Sequence, residues 1–224
     1  MSACSTGELL SPPEDPRARF SPAAERNWAP IWAALRDALP ASGTILELAS
    51  GSGQHLARFS RLAPTLRFQP SDASPEALES VEAWRDTAGV ENLAAPLLLD
   101  LLDPRWVKVA AAAGPFQGAL AFNLIHIAPW EVSEALFSGL SMLLPEGAPL
   151  FLYGPYRVAG EPFAPSNEAF DLSLRERDPR WGVRELAALE AAATPQFILE
   201  ARTPLPANNQ LLRWRRCEDG AERR

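Results

Sequence analysis

Short apolar runs alternate along this chain with stretches in which apolar residues recur every three or four positions. Ser21 followed by Pro22 has the form of a helix N-cap with proline at the first helical position, and Trp28, Ile31, Trp32 and Leu35 then recur at helical spacing. That spacing predicts a helix over about 22–38. After the turn PASG, the segment TILELA at 44–49 is short, apolar and β-branched at its start, so it reads as a buried strand that SGSG ends. The alternation continues with a helix at 53–62, a strand at LRFQP, a helix at 75–88, a strand at PLLLDL, a helix around 104–113 and a strand at GALAFNL. A helix from Pro129 to Leu144, a strand at APLFLYG, a helix at about 184–193 and two strands, QFILEART and QLLRWRR, complete it.

Strands and helices taking turns predict an α/β three-layer sandwich, a mostly parallel sheet covered on both faces. Only PLPANN separates the last two strands, too little for a crossover helix, so they should form a C-terminal antiparallel hairpin at one edge of a seven-stranded sheet. Residues 1–19, rich in Ser, Pro and acidic residues without an apolar period, read as a flexible leader before a single domain over 20–217, with a tail at 218–224.

Composition narrows the function classes. A net charge of -7 and a pI near 5.0 disfavour a nucleic-acid partner, whose sites are usually basic. Cys4 and Cys217 provide neither a disulfide framework nor a metal cluster, which suits a reducing cytoplasm and predicts no metal. No run approaches the roughly 18 to 20 apolar residues of a membrane span, and no secretory signal is evident. The oligomeric state is open.

Candidate chemistry begins at ELASGSG, residues 47–53. In an open α/β sheet, ligands bind outside the carboxyl ends of the strands, and the first strand-to-helix turn usually contributes. Gly51 and Gly53 allow positive φ and close backbone approach; equally, such a Gly/Ser turn is common as plain structure. The dinucleotide fingerprint needs a third glycine where Leu56 stands, which counts against a nicotinamide-dependent oxidoreductase, and no G-K-[ST] follows for a P-loop. Glu47, Asp72 and Asp100 end three successive strands. A carboxylate after the second strand suits a ribose hydroxyl pair, the next can reach an exocyclic amine, and Glu47 can face an ammonium or polar tail. Each alone reads more simply as a solvated turn residue. Together they favour a nucleoside carrying positive charge.

The order E-x-x-x-G-x-G, an acidic residue at the second strand end and another at the third resembles class I S-adenosylmethionine-dependent methyltransferases, a Rossmann-like fold. Within that class the chain resembles the methyltransferase-like protein 26 family from about Phe20 to Arg216. The carriers are PAAERN (22–27), LELASGSGQH (46–55), FQPSD (68–72), APLLLDL (95–101) and NLIHIAPWE (123–131). YGPY (153–156), SNEAFDLSLRERDPRWGVRE (166–185) and PANNQLL (206–212) follow. The broad class motif usually has glycine where Ala49 stands. The resemblance implies S-adenosylmethionine as cofactor, with S-adenosylhomocysteine as product. It implies cofactor contacts from Arg26, Asn27, Glu47, Gly51, Gly53, Asp72, Asp100, Leu101 and Asn123.

Methyl transfer from a sulfonium needs positioning and sometimes removal of a proton from the acceptor. In this class the acceptor site lies beyond the fourth strand, which makes Asn123 and His126 candidates, with Trp130 beside them. NLIH lacks the Asn/Asp-Pro-Pro-aromatic motif of adenine and glutamine N-methyltransferases. His126 is the candidate base, although a lone histidine in an apolar stretch is commonly a core residue. Tyr156, with Tyr153 and Arg157, should face the same crevice, or simply flank a Gly-Pro turn. Asn167, Asp171 and Arg175 would share one helix face, as an acceptor wall or an ordinary surface. The expected activity is methyl transfer to an O or N atom of a small or medium-sized molecule. The alternative is a cofactor-binding partner or regulatory protein without catalysis.

Overall fold

The computed structural model describes residues 13–218; Cys4, the first twelve residues of the expected leader and the tail beyond 218 lie outside the described residues. The elements are α1 (Pro22–Leu35), β1 (Gly43–Leu48), α2 (Gln54–Leu62), β2 (Leu66–Asp72), α3 (Pro75–Ala88), β3 (Leu97–Leu98) and α4 (Trp106–Ala111). They continue with β4 (Gly118–Phe122), α5 (Trp130–Leu143), β5 (Pro149–Gly154), α6 (Pro165–Arg177), α7 (Leu186–Ala193), β6 (Phe197–Leu205) and β7 (Asn209–Arg216).

Helix starts follow the local chemistry. Ser21 and Ser74 each accept a hydrogen bond from a backbone N–H of the first turn, at Ala24 and Ala77 (both 3.2 Å), with proline at the next position. Gly89, left-handed at φ 62, closes α3.

The sheet order is β3-β2-β1-β4-β5-β7-β6, parallel except for β7, which lies antiparallel between β5 and β6. This is the seven-stranded α/β Rossmann-like methyltransferase fold. Period-two alternation sorts the strands between two cores. Ile45, Phe68, Leu120 and Phe151 face α1–α3, whereas Leu46, Ala119, Leu150 and Trp214 face α4, α5 and α7. Strand order reverses between β1 and β4, which opens a crevice above their carboxyl ends.

Three elements differ from expectation. PLLLDL contributes a ladder of only two residues, because β3 is an edge strand whose register with β2 ends at Asp72–Leu98. Residues 166–177, seen in the sequence only as conditionally helical, form α6. Part of the expected leader is anchored. The Arg19 N–H donates to Ser80 Oγ (2.8 Å), Trp84 Nε1 donates to the Arg19 carbonyl (2.9 Å), and Ala18 packs on the core. Both bonds use the Arg19 backbone, which leaves no hydrophobic period to read.

Among the described residues no helix is long and apolar enough to cross a membrane, and no group of three His, Cys, Asp or Glu is arranged to hold a metal ion.

Candidate active site

From Leu48 the chain turns through residues 49–53 into α2, with Ala49 (φ 56), Gly51 (φ 59) and Gly53 (φ 86) all left-handed. Only two of these positions require glycine, for different reasons. A Cβ on Gly53 would lie 2.8 Å from Val81 Cα, so the turn is fused to α3. A Cβ on Gly51 would meet nothing within 4 Å, so this glycine borders open space that a ligand could occupy.

The end of β2 is stitched to the turn. Ser50 N–H donates to the Ser71 carbonyl (2.8 Å), Ser71 N–H to Ser50 Oγ (3.2 Å) and Ser71 Oγ to the Glu47 carbonyl (2.7 Å). Asp72 accepts from Gly51 N–H through Oδ2 and from Ser74 N–H through Oδ1, both at 2.9 Å. Each of its oxygens keeps a lone pair for a ligand hydroxyl.

Glu47 is 2 % exposed beneath this turn, and its Oε2 has no hydrogen-bond partner. Burial pushes its carboxyl up to about 8, the Asp72 charge adds to the rise, and a hydrogen bond from Ser50 opposes it. Asp100 is exposed after β3, its Oδ1 accepting from Leu102 N–H (2.9 Å), on the wall of a cleft of about 370 Å³ that also includes Ala73, Leu99 and Trp106. Leu101 is buried in the core.

On α1, Arg26 is exposed, and Asn27 is committed to the protein. Its Oδ1 meets His55 Nε2 (2.8 Å), and its side chain hydrogen-bonds Tyr153 on β5. Burial, and then the charge of Arg58, lower the His55 imidazole to about 3, so it is neutral in this contact. Arg58 in turn reaches Glu25 (2.5 Å), which locks α1 onto α2.

The other half of the crevice begins at Asn123, left-handed at φ 59, whose N–H donates to the Tyr153 carbonyl (2.8 Å). His126 is 0 % exposed and packs edge-on to Tyr156 and Phe170. A Cβ on Gly154 would lie 2.0 Å from His126 Nε2 and 3.3 Å from Asn123 Oδ1, so these side chains share one small space. Neither ring nitrogen of His126 has a hydrogen-bond partner. Burial, with the Arg184 charge behind it, lowers this imidazole to about 3, away from the neutral range a general base needs. Tyr156 is 3 % exposed; its hydroxyl is unpartnered, and burial raises its phenol above the ordinary range.

Helix α6 roofs this half with an unusually polar inner face. Asn167 Nδ2 donates to the Asn208 carbonyl (3.0 Å), and Asn208 Nδ2 returns to Ser166 Oγ (2.9 Å), joining the helix to the β6–β7 turn. That turn places Ala207 and Asn208 at φ 59 and 57, which suits a tight hairpin. Asp171 takes Val183 N–H (2.7 Å), Arg175 Nε (3.0 Å) and Arg157 Nη2 (3.3 Å). Burial works to raise its carboxyl, but these donors and charges outweigh burial and hold it below the usual range. Arg184 fastens the loop after β4 by donating to the carbonyls of Ile125 (3.2 Å) and Ala128 (2.6 Å).

The crevice therefore gathers Glu47, Gly51, Gly53, Asp72 and Asp100 on one side of the strand-order reversal and Asn123, His126 and Tyr156 on the other. Arg26 is exposed on α1, and the Leu101 side chain is buried in the core next to Asp100. Arg184 and Gln210 lie inside the resembling segments 166–185 and 206–212 but carried no assigned role there, and Phe163 was not singled out, because an arginine that binds carbonyls, a glutamine in a strand and a phenylalanine in a loop show their use only in the fold.

Residues 18–216 match the family described as "Protein of unknown function (DUF938)". The chain belongs to that family. Solved structures similar to this DUF938 chain include an O-methyltransferase family protein from Burkholderia thailandensis (16% identity over 87% of this chain and 57% of that one, TM-score 0.70). Another is human N-acetylserotonin methyltransferase in complex with S-adenosylmethionine (11%, 88% and 53%, TM-score 0.68). A third is an S-adenosylmethionine-dependent methyltransferase from Anabaena variabilis (18%, 86% and 85%, TM-score 0.65). At these identities the likeness is one of fold, and this chain spans a little over half the length of the first two.

Proposed function

We propose that this DUF938 protein is a methyltransferase that takes S-adenosylmethionine as donor and a small or medium-sized molecule as acceptor. The observation that carries the reading is the turn at 49–53, whose Gly51 borders open space while its N–H is held by Asp72, with the unpartnered Glu47 Oε2 beneath. The three acidic groups at the strand ends, Glu47, Asp72 and Asp100, fit a cationic nucleoside better than a phosphate. Asp72 would hold the ribose hydroxyls, Asp100 the adenine side and Glu47 the charged tail. Gly51 gives the backbone its access, and Gly53 holds the turn against α3. Bound there, the donor supplies a sulfonium-activated methyl group. The chain's own task is to orient the acceptor, and Asn123, at the end of β4, stands where the two halves of the crevice meet.

Closer kinship with the methyltransferase-like protein 26 family, on the motifs quoted above, belongs to the same proposal, as does a cytoplasmic setting. The likeness to an O-methyltransferase family protein supports an O acceptor. A second reading, donor binding without transfer, draws on one observation: both histidines are buried and neutral. Release of S-adenosylhomocysteine in the presence of an acceptor panel separates the two readings.

The deciding experiment is calorimetric titration with S-adenosylmethionine and with S-adenosylhomocysteine. Micromolar binding is expected, weakened by about 1–3 kcal/mol in Asp72→Ala, the scale of a lost hydrogen bond to a charged group. Absence of binding to either ligand would reduce the reading to a shared fold.

A further inference from the structure

A cavity of about 250 Å³ lies between the segment after β5, the start of α6 and the β6–β7 hairpin. It exceeds the volume of about 150 Å³ in which an engineered apolar cavity binds benzene. Tyr156 and Gln210 both line it, and both carry a buried polar atom without a partner, the phenol oxygen and Oε1. Buried polar atoms are nearly always satisfied, so a pair of orphans on one cavity points to a ligand that satisfies them.

The remaining lining sets the ligand's character. Phe163, Pro204 and Leu205 are apolar, and the Arg157 guanidinium lies over one face of the Phe163 ring, 3.7 Å from its centroid. The charged residues of the lining, Glu161 and Arg202, form an ion pair with each other. An ionised ligand would find no free counter-charge, and burying an unpaired charge is costly.

We infer that this cavity is the acceptor pocket, and that its occupant is an uncharged ring compound offering a hydrogen-bond donor to Gln210 Oε1 and a polar group to the Tyr156 hydroxyl. The inference rests on the proposed methyl transfer. Its position suits that role, because Tyr156 contacts His126 on the Asn123 side of the crevice.

The test uses three probes of similar size: 4-hydroxybenzamide, which is neutral, 4-hydroxybenzoate, an anion, and tyramine, a cation. Each is titrated by ligand-observed NMR into the full chain with and without S-adenosylhomocysteine. The neutral probe should bind at least tenfold more tightly than either ion. Tyr156→Phe and Gln210→Met should each weaken it at least fivefold while leaving S-adenosylhomocysteine affinity unchanged. Tyr156→Phe should also keep or raise the melting temperature, since it removes an unsatisfied buried hydroxyl. Equal or stronger binding of an ion, no binding of the neutral probe, or binding indifferent to both substitutions would overturn the pocket assignment. S-adenosylhomocysteine titration reads the donor site separately, so its failure would strike the methyl-transfer reading and leave probe binding to report on the pocket alone.

Discussion

The two sides of the crevice solve opposite problems. On the β1–β3 side, the turn and the end of β2 are tied together through backbone N–H bonds, Asp72 and Asp100 retain spare lone pairs, and the buried Glu47 Oε2 is left unpartnered beneath them. On the β4–β7 side, His126, Tyr156 and Gln210 bury polar atoms with no partner at all, under a helix latched by Asn167 and Asp171. The first side is braced by its own hydrogen bonds. The second is under-satisfied, which leaves its final arrangement to whatever enters.

Breaking the rigid side should cost most. Gly53→Ala forces a Cβ to 2.8 Å from Val81 Cα at φ 86 and should destabilise the protein by about 3 kcal/mol or more, with donor binding lost; Gly51→Ala, strained but unobstructed, should cost only about 1–2 kcal/mol. Urea unfolding of both variants checks the ratio, and equal losses would mean that α3 does not brace the turn.

On the other side, Asp171→Ala removes the carboxylate that joins Val183, Arg157 and Arg175. Because both arginines remain solvent-accessible, the expected loss is about 1–3 kcal/mol, below that of a fully buried pair. Hydrogen exchange should quicken across 165–177 and stay unchanged across 47–53. Faster exchange in both would deny the two sides their independence.

Protonation sharpens the contrast further. Glu47, raised to about 8 in the fold, is protonated in the empty site near neutrality, so a cationic donor that needs the ionised carboxylate should bind up to about fiftyfold more tightly at pH 8 than at pH 6, with proton release. The stability sign follows from the raised value. The folded state holds this proton more tightly than the unfolded one, so its contribution is full below about pH 4.5 and is lost as pH rises through 8. Glu47→Gln should flatten both dependences.

The smallest effect concerns His126, which is depressed to about 3. Its neutral form contributes stability above about pH 6.5, and that contribution is lost as pH falls toward 3. His126→Leu should leave neutral stability near the wild-type value and move acid unfolding to lower pH. Retained turnover in this variant would also remove the base role.

The same division governs what the sequence disclosed. The β1 turn and the carboxylates after β2 and β3 were legible because glycine favours a left-handed turn and acidic residues gather where strands end, whereas the burial of Glu47 within β1 was not. The hairpin was legible from six intervening residues. What stayed hidden depends on packing across distant segments. Nothing local in NLIHIAPW says that His126 lies beneath Gly154, and nothing in YRVAGEPF says that Phe163 walls a cavity. The helix at 165–177 was obscured because its inward face carries Asn167 and Asp171, where a reader of periodicity looks for leucine.

Gly154 and His126 finally impose an order on change. With φ 155 and an imidazole nitrogen 2.0 Å from where its Cβ would stand, Gly154 has no single-step route to any other residue. A lineage that altered position 126 to something smaller would first have to tolerate the vacancy, and only then could position 154 drift. Descendants of this chain should therefore hold the two together or exchange them in that sequence, never the glycine first.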